Sequence, residues 1–137
     1  MPDKKLTTYT DGGARGNPGP AALGVVIKDG DRTVAAFGEY LGSTTNNVAE
    51  YTALIRALET AMDLGAKEVE CLLDSELVVK QLNGEYKVKH PGLASLYMKI
   101  WNLSHGFKRV TYKHIRREFN KEADAQVNAA IDRALGR

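Results

Sequence analysis

The hydrophobic period of this chain changes partway along it, and that change limits the fold more than any other feature. Up to Tyr40, apolar residues come in short runs rich in β-branched and aromatic side chains. Leu6–Thr10, Ala22–Lys28 and Thr33–Tyr40 read as three strands. The first stops at Asp11-Gly12-Gly13 and passes into a loop dense in turn residues, Arg15 to Pro20. Asp29-Gly30-Asp31 makes a hairpin turn, so the opening is an antiparallel meander. From Tyr51 onward the spacing becomes helical: Tyr51, Leu54, Ile55, Leu58, Ala61 and Met62, with Thr44 or Thr45 as N-cap and Gly65 as stop.

The second half alternates. Val69–Leu73 is a short apolar run, predicted to be a buried strand ending at Asp74. Ser75–Asn83 reads as a short helix closed by Gly84, Pro91–Ser104 as another, and Arg109–Ile115 as a strand. Asn120–Leu135 reads as a helix whose inward face is Ala123, Val127, Ala130, Ile131 and Leu135. Helical connections between later strands permit crossovers, so the expected fold class is α/β, a mixed sheet with helices on its faces. At 137 residues the chain, 1–137, is expected to be one domain.

Several classes fall away. No apolar run approaches the roughly 18 residues of a membrane span. Met-Pro-Asp-Lys-Lys leads straight into the first strand and is read as lacking a signal peptide. Cys71 has no thiol partner in the sequence and is expected to pack as a small hydrophobe, which suits a cytoplasmic protein. No serine sits in a G-x-S-x-G elbow, and Gly13-Ala14-Arg15-Gly16 lacks the Gly-Lys-Ser/Thr ending of a phosphate loop. The net charge of +2 is uninformative. Its distribution is less so: Lys108, Arg109, Lys113, Arg116, Arg117 and Lys121 stand against Glu118 alone. That stripe suits either a phosphate backbone or a charge-protected edge strand.

Four acids stand at element boundaries. Asp11 ends the first strand and Asp74 the fourth, and sites in open α/β sheets gather at the carboxyl ends of strands. Glu50 falls in the first turn of its helix and Asp124 near the start of the last. Each alone has a structural explanation, as a turn residue, a cap or a helix-dipole partner. Together they would repel unless cations neutralise them. The donors are all oxygen, and His90, His105 and His114 show no zinc-like pairing, so Mg²⁺ or Mn²⁺ is the expected ion. Two such ions about 4 Å apart suit phosphodiester cleavage.

These residues carry a resemblance. Thr10-Asp11-Gly12-Gly13 followed by Gly16-Asn17-Pro18-Gly19-Pro20 resembles the first motif of type 1 ribonuclease H. Thr44-Thr45-Asn46-Asn47-Val48-Ala49-Glu50, Asp74-Ser75-Glu76 and Asn120-Lys121-Glu122-Ala123-Asp124 resemble its second, third and fourth. The resemblance implies a ribonuclease H-like fold, a five-stranded mixed sheet with three antiparallel strands first and helices on both faces. It implies two Mg²⁺ ions on Asp11, Glu50, Asp74 and Asp124, and hydrolysis of the RNA strand of an RNA–DNA hybrid to 3′-hydroxyl and 5′-phosphate ends. It also implies hybrid contacts from Gly12, Gly13, Ala14, Arg15, Asn17, Thr45, Asn46 and Asn47. A ribose 2′-hydroxyl, both donor and acceptor, is what such contacts would read.

The chain departs from the family pattern twice. The loop before Asp124, Arg116-Arg117-Glu118-Phe119, lacks the mobile histidine of many bacterial members, and Arg117 and Glu118 are the candidates for part of its role. His114 is read as a packed or edge residue of its strand. Between Asn83 and Ser95 there is no inserted basic helix, only Tyr86, Lys87, Lys89 and His90, so the chain is similar to a short form lacking the basic protrusion. Trp101, inside a predicted helix, is read as core. Competing readings are a nuclease for another nucleic acid, a non-catalytic nucleic-acid-binding module on this fold, and a small metal-binding protein. A monomer is the default expectation.

Overall fold

Cross-strand pairing, more than composition, sets where the first strands end. A computed structural model describes residues 3–137; Met1 and Pro2, part of the stretch read as lacking a leader, lie outside the described residues. Strand β1 (Lys5–Ala14) does not stop at Asp11, as turn propensity predicts, but runs on through Gly12 and Gly13. Strand β2 (Gly19–Asp29) holds it there, pairing Gly12 with Leu23, Gly13 with Ala22 and Ala14 with Ala21. Glycine is a poor strand former for want of a side chain to pack, and here the ladder overrides that. Strand β3 (Arg32–Thr44) likewise outruns its predicted end at Tyr40, because β2 pairs with it as far as Gly19–Thr44.

Helix α1 (Asn46–Asp63) begins where Thr45 Oγ1 accepts the Val48 N–H at 3.3 Å, and its chain reverses at Gly65, whose φ is +82°. It carries the chain across to β4 (Glu68–Leu73), which lies parallel to β1. Helices α2 (Glu76–Leu82) and α3 (Pro91–Ser104) make the second crossover, to β5 (Arg109–His114), parallel to β4. A single 3₁₀ turn, Arg117–Phe119, leads into α4 (Lys121–Ala134). Among the described residues the sheet has five strands in the order β3-β2-β1-β4-β5.

The sheet is covered unequally. On one face α1 and α3 bury Tyr51, Leu54, Leu58 and Ile100 against Leu6, Leu23, Val25, Ile27, Cys71 and Leu73. Each fully buried leucine there contributes about 1.5–3 kcal/mol relative to exposure. Cys71 packs as a small hydrophobe, and burial pushes its thiol up to about 12. On the other face α4 covers β1–β3 with a smaller cluster, Ala22, Val127, Ala130 and Ile131. Its backbone can approach because Gly24 has no side chain: a Cβ there would overlap the Ala123 carbonyl oxygen.

Some inward assignments reverse. Leu135 follows the last turn of α4 and is 40% exposed. Trp101 is helical as predicted, but Ile100 takes the inward position, leaving Trp101 half exposed with its ring centroid 4.1 Å from that of His105. His114 closes the edge strand β5, exposed. The basic stripe is partly neutralised there: Lys108 pairs with Asp3 at 2.7 Å, Lys113 with Glu70 at 3.0 Å and Arg116 with Glu118 at 3.3 Å. That pairing favours a charge-protected edge over a continuous phosphate track. Among the described residues no helix is long and apolar enough to cross a membrane.

Candidate metal centre

Thr10 and Leu73 form the last rung of the parallel β1–β4 ladder, and the next residue on each strand is an aspartate. Asp11 and Asp74 therefore emerge together at the carboxyl end of the ladder, where α/β sheets place their sites. Glu50 arrives from α1. The helix starts at Asn46 and its first turn holds no acid, so Glu50 stands one residue beyond the position assigned to it from sequence. The helix-dipole explanation for it weakens accordingly. Gly12 brings it in: a Cβ there would collide with the α1 backbone at Ala49 and Glu50, so glycine lets helix and strand touch. The Gly12 N–H donates to Glu50 Oε1 at 3.3 Å.

Asp11, Glu50 and Asp74 each offer a carboxylate oxygen, and these oxygens lie within 4.8 Å of one another. Asp124 is not part of this tight group. It lies exposed in the first turn of α4, lining the same cavity of about 390 Å³. Asn128, one turn on, donates its amide to Asp124 Oδ2 at 3.3 Å. Glu122 points away and pairs with Lys28 at 2.9 Å.

Burial, then the charge of Asp74, raises the Asp11 carboxyl to about 7. Burial, then the charges of Asp11 and Asp74, holds Glu50 well above the usual carboxylate range. No ion pair to Asp11, Glu50 or Asp74 exists among the described residues, and Glu50 Oε2 is buried without a hydrogen-bond partner. An orphaned carboxylate oxygen in a cluster of like charges is what a hard divalent cation satisfies. The donor set therefore fits Mg²⁺ or a similar ion.

The predicted substrate residues divide. Gly12, Gly13, Ala14, Arg15, Asn46 and Asn47 line the cavity, as does Arg117. Asn17 and Thr45 do not: Asn17 Oδ1 accepts the Asn46 N–H at 3.1 Å, and Thr45 caps α1. Asn46 Oδ1 in turn accepts the Ala14 N–H at 2.8 Å, and the Arg15 N–H donates to the Pro20 carbonyl at 2.8 Å. With the Gly12 amide engaged by Glu50, the amides of Gly12, Ala14 and Arg15 all donate within the protein. Asn47 makes no intramolecular side-chain bond among the described residues and faces the cavity free. Arg15 reaches Asp132 at 2.8 Å. Glu118 turns to Arg116 and does not line the cavity.

Sequence reasoning missed Ser75 and Asn128, which also line the cavity, and Asn120 behind it. Asn128 had a readable signal, since it lies four residues after Asp124 on a helix. Asn120 stands at the predicted start of the last helix, yet its side chain makes no capping bond: its Nδ2 donates to the Thr10 carbonyl at 2.8 Å and to Asp74 Oδ2 at 2.9 Å.

A family model described as reverse transcriptase-like matches residues 9–130. A bifunctional protein of Mycobacterium tuberculosis is 45% identical over 132 residues, which cover 95% of this chain and 36% of that protein. The chain thus spans about a third of the length of these mycobacterial relatives. Ribonuclease HI of Halobacterium salinarum is 44% identical over 137 residues, covering 98% of this chain and 69% of the relative. The crystal structure of LC11-RNase H1 in complex with RNA/DNA hybrid superposes with a TM-score of 0.91 at 50% identity, covering 95% and 99% of the two chains.

A carboxyl whose pKa is higher folded than unfolded binds its proton more tightly in the native state. For Asp11 that contribution to stability is complete below the ordinary value of 3.8 and is lost as pH rises through about 7. In chelator, Asp11→Asn is therefore expected to gain stability over the wild type as pH rises through this window, by on the order of a few kcal/mol. Adding Mg²⁺ should shrink the gain, because the cation relieves the repulsion in the wild type. Urea denaturation at a series of pH values, with and without chelator, measures both; a difference that does not vary with pH contradicts the assignment.

Proposed function

The chain belongs to the ribonuclease H family, and on that premise we propose that it is a divalent-metal-dependent endonuclease that hydrolyses the RNA strand of RNA–DNA hybrids, leaving 3′-hydroxyl and 5′-phosphate ends. One observation carries the reading: three carboxylates converge within 4.8 Å at the end of a parallel strand pair, on the wall of an open cleft. The likeness to LC11-RNase H1, solved with RNA/DNA hybrid, supports the choice of substrate. A non-catalytic module would be expected to lack at least one of the four acids, and all four are present.

In this reading Asp11, Glu50 and Asp74 hold the metal, and Asp124 completes the site from α4. Bound there, two Mg²⁺ ions, or Mn²⁺ in their place, would supply an activated water for in-line attack and charge stabilisation for the leaving oxygen. The protein's own groups hold the scissile phosphate in line and exclude competing geometries. Asn47, free to turn, is a donor and acceptor for a ribose 2′-hydroxyl or base edge on the RNA strand. With the amides of Gly12, Ala14 and Arg15 engaged, the end of β1 and the residue after it offer a hydroxyl mainly acceptors and the Arg15 side chain. Asn17 and Thr45 act by fixing that rim and the start of α1.

Arg117, at the cleft, takes the phosphate-side assistance that a mobile histidine provides in many bacterial members, and Glu118 contributes less because it pairs outward. The connection from α2 to α3 is short, so the chain is read as the form without a basic protrusion. The proposal covers a single ribonuclease H domain, 1–137, acting as a monomer in the cytoplasm. A lone cysteine that is buried and free suits that setting.

Strand-labelled hybrid incubated with Mg²⁺ should lose only its RNA strand, and chelator should stop the reaction. Asp11→Asn should lower kcat by about a thousandfold or more while leaving the fold intact by circular dichroism. Cleavage of DNA duplex or double-stranded RNA at a comparable rate would exclude the substrate assignment. Arg117→Ala should reduce kcat on the order of tenfold with little change in KM, and Glu118→Ala much less, in steady-state kinetics. The slope of log affinity against log salt should be shallower than for a protrusion-bearing relative, since fewer phosphates are neutralised; equal slopes contradict the short-form reading.

A further inference from the structure

Asn120 carries a polar side chain into a buried place and leaves one of its own polar atoms unpaired there. It is 1% exposed, and its Oδ1 is buried with no hydrogen-bond partner. Its Nδ2 is fully used, donating to Asp74 Oδ2 at 2.9 Å and to the Thr10 carbonyl at 2.8 Å. Chemistry fixes this orientation: turning the amide over would set Oδ1 against a carboxylate and a carbonyl, three acceptors facing one another. A buried acceptor left alone weakens a fold, so packing does not account for the residue.

We propose that Asn120 is a positioning residue of the metal centre, clamping Asp74 to the end of β1 so that its carboxylate stays in ligating register with Asp11 and Glu50. The inference rests on the metal-binding reading given above. Thr10 immediately precedes Asp11, so one amide ties the third acid to the strand that carries the first. The backbone of Asn120 acts on the fourth: its carbonyl accepts the Asp124 N–H at 3.1 Å, the opening bond of α4. That bond is independent of the side chain, so replacing the side chain isolates the clamp on Asp74. Without it, Asp74 is free to swing from its two neighbours under their repulsion, and the cation must then pay to gather the ligands.

The test uses Mn²⁺ alone as probe, with no substrate. Asn120→Leu keeps the branched shape, though larger, and removes the donor; Asn120→Ala is the smaller alternative should leucine not fit. Titration calorimetry should show the apparent Kd for Mn²⁺ rising about tenfold or more. In chelator, the leucine variant should remain folded, having lost the orphaned acceptor together with the two bonds from Nδ2, and Mn²⁺ should raise its Tm by less than it raises that of wild type. On hybrid, KM should hold while the metal concentration for half-maximal kcat rises in step with Kd. A folded variant that binds Mn²⁺ as tightly as wild type overturns the proposal, and so does unfolding of both variants in chelator, which would make Asn120 a folding residue. Weakened Mn²⁺ binding in the variants of a wild type that cuts no hybrid would refute the enzymatic reading and leave the clamp supported.

Discussion

Like charges on Asp11, Glu50 and Asp74 repel across a partly dehydrated space, and the scaffold holds them there regardless. Left to themselves such groups separate or take up protons. The protein prevents the first by building each acid into a different rigid element: two strand ends and a helix. It tolerates the second: burial first, and the neighbouring charges after it, displace Asp11 and Glu50 toward the protonated form. A divalent ion held by these carboxylates would release protons and relieve the repulsion between them.

The rigidity has a visible source. Parallel pairing sets Thr10 beside Leu73, so the next residues are neighbours by construction. Helix α1 is pressed onto β1 at Gly12, and the large core under it, from Leu6 to Ile100, resists any retreat. Rim contacts extend the same logic outward: Asn17 holds Asn46, and Asn46 holds Ala14. The cleft wall is thus preorganised before any ligand arrives, which lowers the cost of arranging it during binding.

Most of this was legible from residues alone. Helical spacing from Tyr51 to Ala61, the cap at Thr45 and the limits of Pro91–Ser104 depend on local chemistry, and local chemistry is what a sequence displays. The four motifs gave the acids. What did not show was set by partners distant in sequence. Nothing local says that β2 will carry β1 past Asp11, that Ile100 rather than Trp101 will face inward, or that Glu50 lies beyond the first helical turn. Nor does a helix-start asparagine announce that its side chain reaches back to Thr10 and Asp74. Asp124 could be placed on its helix but not ranked apart from the other three.

That ranking follows from how the sheet is covered. The three tight acids stand on elements that build the large core, whereas Asp124 rides on α4, whose apolar attachment to the sheet is the smaller cluster of Ala22, Val127, Ala130 and Ile131. Elements with thinner apolar attachment open at lower free energy than the body they rest on. A departure of α4 from the sheet would therefore withdraw a single carboxylate and leave the trio in place, so one wall of the cleft is less firmly seated than the other.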